Sequence, residues 1–207
     1  MSQIFIIHKD NPQTRLLRQA AQCIVAGGIV VYPTDSGYAL GCALGNKDAL
    51  VRIRNLRQLG KTHNMSLVCQ DLSEISAYAS VTKPIYRLLK AFTPGAYTFI
   101  LNATTSVAKL MAHPKRKTVG LRVPAHSVCM ALLEVLEGPL MSTSLRLPGY
   151  DYPLSEPDAI RDLLGQRVDL IIDVGVCGYE PTTIVDLTGE YPVVVRHGKG
   201  NPKPFCL

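Results

Sequence analysis

The chain has 207 residues, 47% of them hydrophobic and 18% charged, with a net charge of +6. That length suits one domain with a substantial core, and no apolar run approaches the roughly 20 residues of a bilayer-spanning helix, which argues against membrane insertion through such a helix. Residues 1–5 lack the basic stretch, apolar core and small-residue cleavage site of a secretory signal, so a cytoplasmic location is expected.

Residues 4–7 form a short apolar opening strand. Asn11-Pro12 offers an N-cap with proline behind it, and residues 14–26 carry Leu16, Ala20, Cys23 and Ile24 on one helical face before Gly27-Gly28 stops them. Residues 29–32 are the next strand. It runs into Tyr32-Pro33-Thr34-Asp35-Ser36-Gly37-Tyr38-Ala39-Leu40-Gly41, read as a polar site loop in which Pro33 ends ladder pairing. Asn46 caps a helix over 47–58 that turns Leu50, Ile53 and Leu56 inward and carries Arg52, Arg54 and Arg57 elsewhere. Residues 66–69 read as a strand, 71–78 as a short helix, 84–92 as a helix capped by Thr82, and 97–102 as a strand. The segment 104–117 is basic, and 118–123 is a strand that sets Arg122 at its carboxyl end. A helix over 127–137 and a strand over 140–144 follow. Ser155 to Asp158 resembles a capping box at the start of a helix that runs to 164. Strands over 169–172, 182–187 and 193–195 complete the set, and 201–207 reads as a tail.

Strands alternate with helices, yet several strand-to-strand passages lack one. The expected fold is therefore α+β, an α/β-like three-layer single domain over 1–207 with a twisted mixed β-sheet and helices on both faces. Thr34, Arg122, Ser142, Ser144 and Arg196 all fall at strand ends. Ligands of such sheets bind at the carboxyl ends of strands, so these residues point to one pocket. Singly, each has a plainer role: Arg122 in an ion pair, Ser142 satisfying a backbone group, Arg196 capping the sheet.

Standard catalytic and phosphate-loop motifs are missing, and five histidines and six cysteines show no metal-ligand spacing. Catalysis would therefore rest on positioning and on neutralising anionic charge. Charge is unevenly spread: residues 1–126 hold 16 Lys/Arg against 5 Asp/Glu, net +11, and residues 127–207 hold 6 against 11, net −5. Such asymmetry suits an anionic ligand, a nucleotide or an RNA backbone, and equally a solvated basic face.

Six segments in order carry a family resemblance: the stretch 32–41, Pro-Gly-x-x-Thr at 94–98, Gly-Leu-Arg-Val-Pro at 120–124, Ser-Thr-Ser at 142–144, Thr-Thr-Ile-Val-Asp at 182–186 and Val-Val-Arg-x-Gly at 194–198. The chain resembles YrdC-like proteins over nearly its whole length, and in Thr-Asp-Ser-Gly-Tyr and Ser-Thr-Ser-Leu it is most similar to their YciO branch. The resemblance implies a concave basic cavity. In the catalytic branch that cavity makes threonylcarbamoyl-adenylate from threonine, bicarbonate and ATP for tRNA modification, with Mg²⁺ accompanying the nucleotide, and the family is associated with tRNA or double-stranded RNA.

By position, the resemblance assigns threonine to Thr34, Tyr38 and Arg122, the nucleotide to Thr98, Ser142 and Arg196, and catalysis to Arg57, Lys61, Ser142 and Ser144. Lys115, Arg116 and Lys117 would contact RNA. The chain departs from the synthases at Arg57-Gln58-Leu59-Gly60, where they carry Lys-x-Arg-Pro, at Ser142-Thr143-Ser144, where they carry Ser-x-Asn, and at Cys69, where they carry histidine. The expectation is a nucleotide- and RNA-binding protein with weak or altered synthase chemistry; the alternative is a full synthase in which Arg57 and Lys61 replace the usual cations. Monomer and dimer both remain open.

Overall fold

In the computed structural model, residues 2–60, 63–110 and 117–206 are described. In chain order the elements are β1 Gln3–Ile6, α1 Thr14–Val25, β2 Val30–Thr34, β3 Gly37–Ala43, α2 Lys47–Arg57, β4 Ser66–Val68, α3 Leu72–Tyr78, α4 Lys83–Phe92, β5 Tyr97–Asn102, α5 Thr105–Leu110, β6 Thr118–Arg122, α6 Ser127–Leu136, β7 Leu140–Ser144, α7 Pro157–Leu164, β8 Leu170–Asp173, β9 Thr183–Asp186 and β10 Val193–Arg196. The strands form one ten-stranded sheet in the order β1-β8-β2-β3-β7-β4-β6-β5-β9-β10. Pairs β1/β8, β2/β8, β4/β6 and β5/β9 are parallel and the others antiparallel, so the expected mixed sheet is present.

Alternation along the strands sorts residues onto two faces. On one face Ile29, Val31, Leu40, Leu67, Phe99, Leu121 and Val185 meet Leu50 and Ile53 of α2, Ile75 of α3, Leu89 of α4, Val107 of α5 and Ile160 of α7. On the other, Val30, Tyr32, Ala39, Leu140 and Leu170 meet Leu17, Ala20 and Ile24 of α1 and Val128, Leu132 and Leu133 of α6. Helices α1 and α6 cover that second face from β1 as far as Val68 of β4. Among the described residues no helix packs over β6, β5, β9 and β10 on the same side, and the site forms along the border of the covered part, lined from β3, β7 and β4 across to β6, β5, β9 and β10.

Four local expectations are corrected. The stretch 32–41 is a hairpin rather than a loop: β2 and β3 pair Thr34 with Gly37 and Pro33 with Tyr38. In a two-residue hairpin the second pair exchanges no hydrogen bonds, and β8 pairs with β2 only at Val30 and Val31, so the proline's missing N–H is not needed on either side. Helix α1 starts at Thr14 with Gln13 as N-cap, because the His8 Nδ1 accepts from the backbone of Asp10 and Asn11 and holds them in a turn. Glu156, not Ser155, is the N-cap of α7, because Pro157 opens that helix. The final segment is docked: Lys203–Phe205 is a 3-10 turn whose Phe205 is 4% exposed against Phe92, Tyr97 and Phe99.

Candidate functional site

A cavity of about 860 Å³ opens along that border. Ser142 of β7 and Ser66 of β4, paired in register, line its floor, and they are flanked in the same row by Gly41 of β3 and Gly120 of β6. Tyr32 of β2 lies across Gly41, where an added Cβ would fall 2.8 Å from the ring, and its hydroxyl donates to Ser142 Oγ at 2.6 Å. Tyr32 is fully buried, and burial pushes its phenol well above the ordinary range, so it holds Ser142 as a neutral donor.

Four guanidinium groups face this floor: Arg57, Arg122, Arg146 and Arg196; one carboxylate, Asp151, lies among the described lining residues. Arg57, the last residue of α2, reaches β7 through its Nη1, donating to Thr143 Oγ1 at 3.3 Å and to the Ser144 carbonyl. Its pKa falls to about 10, first because it is buried and then because Arg146 is close. Two like charges so placed favour an anion between them.

Arg196 owes its position to a β-bulge. Val194 pairs with Val185, but Arg196, not Val195, pairs with Ile184, so the extra residue turns the guanidinium onto the cavity face that Ile184 lines. Its Nε and Nη2 donate to the Thr182 carbonyl at 3.1 and 2.8 Å, and Thr182 Oγ1 lies 2.8 Å from Thr98 Oγ1. Burial, and then Arg122, lower its pKa.

Arg122 ends β6 and is 8% exposed; its Nη2 pairs with the Asp35 carboxylate at the hairpin turn, and the Lys199 ammonium donates to the Asp35 carbonyl. Thr34 Oγ1 donates to the Gly37 carbonyl at 2.7 Å and accepts from the Ser36 N–H at 3.3 Å, which fixes the turn. Gly37 has φ +117°, and a Cβ there would strike the Gly178 carbonyl, so the turn has room for glycine alone. Tyr38 lines the wall with its hydroxyl committed, donating to the Gly175 carbonyl at 2.7 Å and accepting from the Val174 N–H at 3.1 Å.

The structure thus brings Thr34, Tyr38, Arg57, Thr98, Arg122, Ser142, Ser144 and Arg196 around one cavity. Lys117 is exposed next to the first residue of β6, the end opposite Arg122. Lys61, Lys115 and Arg116 lie outside the described residues. Sequence reasoning placed Asp35 in the site loop without its partner, and it did not single out Ser66, Tyr152, Arg146 or Tyr179, which also line the cavity. The even spacing Ser142, Ser144, Arg146 hinted at the third, and strand register, invisible in one chain, was needed for Ser66.

A model of the Sua5/YciO/YrdC family, described as telomere recombination, matches residues 22–198. The chain is 53% identical over 205 residues to the YciO protein of Escherichia coli strain K12, covering 99% of this chain and 100% of that one. The E. coli YciO crystal structure superposes with a TM-score of 0.94 over 100% of both chains. The threonylcarbamoyl-AMP synthase of Halorhodospira halophila is 31% identical over 172 residues, 82% of this chain and 89% of that protein. The P. abyssi Sua5 structure in complex with L-threonine is 25% identical with a TM-score of 0.86, covering 94% of this chain and 57% of that one.

Proposed function

Because the chain belongs to the Sua5/YciO/YrdC family, we propose that the cavity binds a nucleotide, ATP or AMP, and carries weak or altered threonylcarbamoyl-adenylate synthase chemistry. One observation carries this reading: four guanidiniums line the cavity, one of them paired with Asp35, and Asp151 is the carboxylate among the described lining residues. Such an excess of positive charge in one cavity favours an anionic ligand of several charges. In the synthase reaction threonine and bicarbonate give a carbamate whose oxygen attacks the α-phosphorus of ATP, releasing pyrophosphate and water. Charge grows on the departing pyrophosphate, and fixed cations lower that barrier.

The pairing of Arg122 with Asp35, and the positions of Arg57 and Arg146 over Ser144, suit an amino-acid carboxylate at one end and phosphates at the other. The reading of weak activity rests on two wall residues: Leu59 is apolar, and Ser144 offers a hydroxyl where the synthases have an amide. Each lost polar contact to the transition state costs roughly 3 kcal/mol, or about a hundredfold in rate. Among the described residues no cluster of three metal-ligating side chains exists, so Mg²⁺ would ride on the phosphates, with Asp151 as the carboxylate in reach.

Purified protein given threonine, bicarbonate and Mg-ATP tests this. Nucleotide binding with slow or undetectable threonine-dependent pyrophosphate release is expected. Rapid release would instead support a full synthase, and no nucleotide binding would overturn the reading.

An RNA contact completes the proposal. Its support is the +11 charge of residues 1–126, which include Lys115, Arg116 and Lys117. Affinity for tRNA or duplex RNA is expected to fall steeply with salt, and replacing those three by alanine to flatten the slope. Salt-independent binding would count against it.

A further inference from the structure

Tyr152 and Tyr179 are large aromatic side chains left 67% and 57% exposed, and both line the cavity mouth. Their rings stand edge to face, centroids 5.5 Å apart at 68°. They come from different connections, β7 to α7 and β8 to β9, so the pair is assembled by the fold.

Their exposure does not come from loosely held loops. The first connection is anchored beneath by Leu145, Leu147 and Leu154, at 0%, 5% and 8% exposure, and closed by the Leu154 N–H donating to the Leu145 carbonyl at 2.8 Å. The second is tied to it where the Cys177 N–H donates to the Ser155 carbonyl at 3.1 Å, and to β3 through the Tyr38 hydroxyl on Gly175. Pro153 follows Tyr152, Pro181 lies two residues past Tyr179, and both prolines line the same mouth. Rings held up to solvent on anchored loops forgo burial, yet they are already ordered for a flat partner.

We propose that Tyr152 and Tyr179 form a shelf in which one ring offers its face for the base of a nucleotide to stack on and the other buttresses it edge-on, while the phosphates reach the guanidiniums below. The inference rests on the nucleotide reading and adds to it the part of the ligand that an anion hole cannot recognise. Cationic partners of aromatic rings are ruled out by the four arginines, and a bare polyphosphate has nothing to place on the rings. A planar neutral ring joined to an anionic chain satisfies both halves of the mouth. A free nucleotide is the occupant proposed.

Calorimetric titration with Mg-ATP and, separately, with Mg-tripolyphosphate tests the shelf. In the double variant Y152A/Y179A, ATP affinity is expected to fall about tenfold or more while tripolyphosphate affinity stays within twofold. The double variant Y152F/Y179F, which keeps the rings, is expected to bind ATP as the wild type does. An unchanged urea midpoint in both variants checks their folding, which two exposed side chains should not disturb. Equal loss of both ligands, unchanged ATP affinity in Y152A/Y179A, or loss in the phenylalanine variant would each overturn the shelf. If the wild-type protein binds tripolyphosphate but not ATP, the shelf falls and the anion site stands. If it binds neither, the nucleotide reading fails with it. Binding of single-stranded oligoadenylate without ATP binding would move the rings to an RNA contact and overturn the free-nucleotide assignment.

Discussion

The pair Arg122–Asp35 shows how one contact can serve the site more than the fold. Both side chains are about nine-tenths buried, and Asp35 Oδ2 and Arg122 Nε have no hydrogen-bond partner among the described residues. Desolvating two charges costs several kcal/mol, and a pair that leaves such groups unmet recovers that cost poorly. What it does secure is position: the guanidinium is held by one nitrogen while its side chain still lines the cavity. Removing one partner strands the other. Asp35→Ala is therefore expected to lower stability by about 3 kcal/mol, and the double variant D35A/R122M to recover much of that loss, because the stranded cation is gone. Urea unfolding of the four proteins of the cycle measures the coupling. Additive losses would mean that the two groups do not interact across the turn.

At the scale of elements, much was legible. Helix α2 follows from Asn46, whose Oδ1 accepts from the Ala49 N–H at 2.9 Å, and from the inward Leu50, Ile53 and Leu56. Alternation marked the strands, and the rule that ligands meet strand ends drew Thr34, Arg122, Ser142 and Arg196 toward one place. What escaped depends on partners far along the chain. The hairpin at 32–41 was hidden because proline argues against a ladder unless the pairing phase is known. The bulge at Val195 is written in the register of β9 against β10, not in the sequence of either strand. The end of the chain looked like a tail because 201–207 holds one aromatic residue, whereas its pocket is built from α4 and β5. Phe205 meets the rings of Phe92, Tyr97 and Phe99 at 4.7, 5.6 and 6.1 Å. Phe205→Ala should destabilise by about 3 to 4 kcal/mol, as for a well-packed core ring. A loss below about 1 kcal/mol, read as a shift in the urea midpoint, would return the segment to the status of a tail.

For the molecule as a whole, burial of so many protonated groups sets the pH response. Cys42 and Cys129 are buried thiols whose pKa values rise to about 12 from an ordinary 9.0, in both cases chiefly through burial; at Cys129 Arg122 opposes the rise and Asp35 adds to it. Cys69 is raised well above its ordinary value by burial and then by Glu74 and Asp71. A raised folded pKa means that the folded state keeps a proton which the unfolded chain gives up. The stabilisation is complete below about pH 9 and is lost as pH climbs toward the folded value, each thiol contributing a slope of about 1.4 kcal/mol per pH unit. Arg57 works in the opposite sense, since its lowered pKa of about 10 makes the folded state the first to lose that proton, but only above that pH. The buried phenols of Tyr32 and Tyr38 are raised in the same sense, but their unfolded counterparts ionise only at about pH 10, so the window from about pH 8.5 to 9.5 is set chiefly by the thiols. Urea unfolding across it is expected to show stability falling ever more steeply, and the double variant C42A/C129A to be less stable at pH 8 yet to fall with a shallower slope. A wild-type curve that stays flat, or a variant with the same slope, would mean that these thiols reach water and titrate much as they do in the unfolded chain.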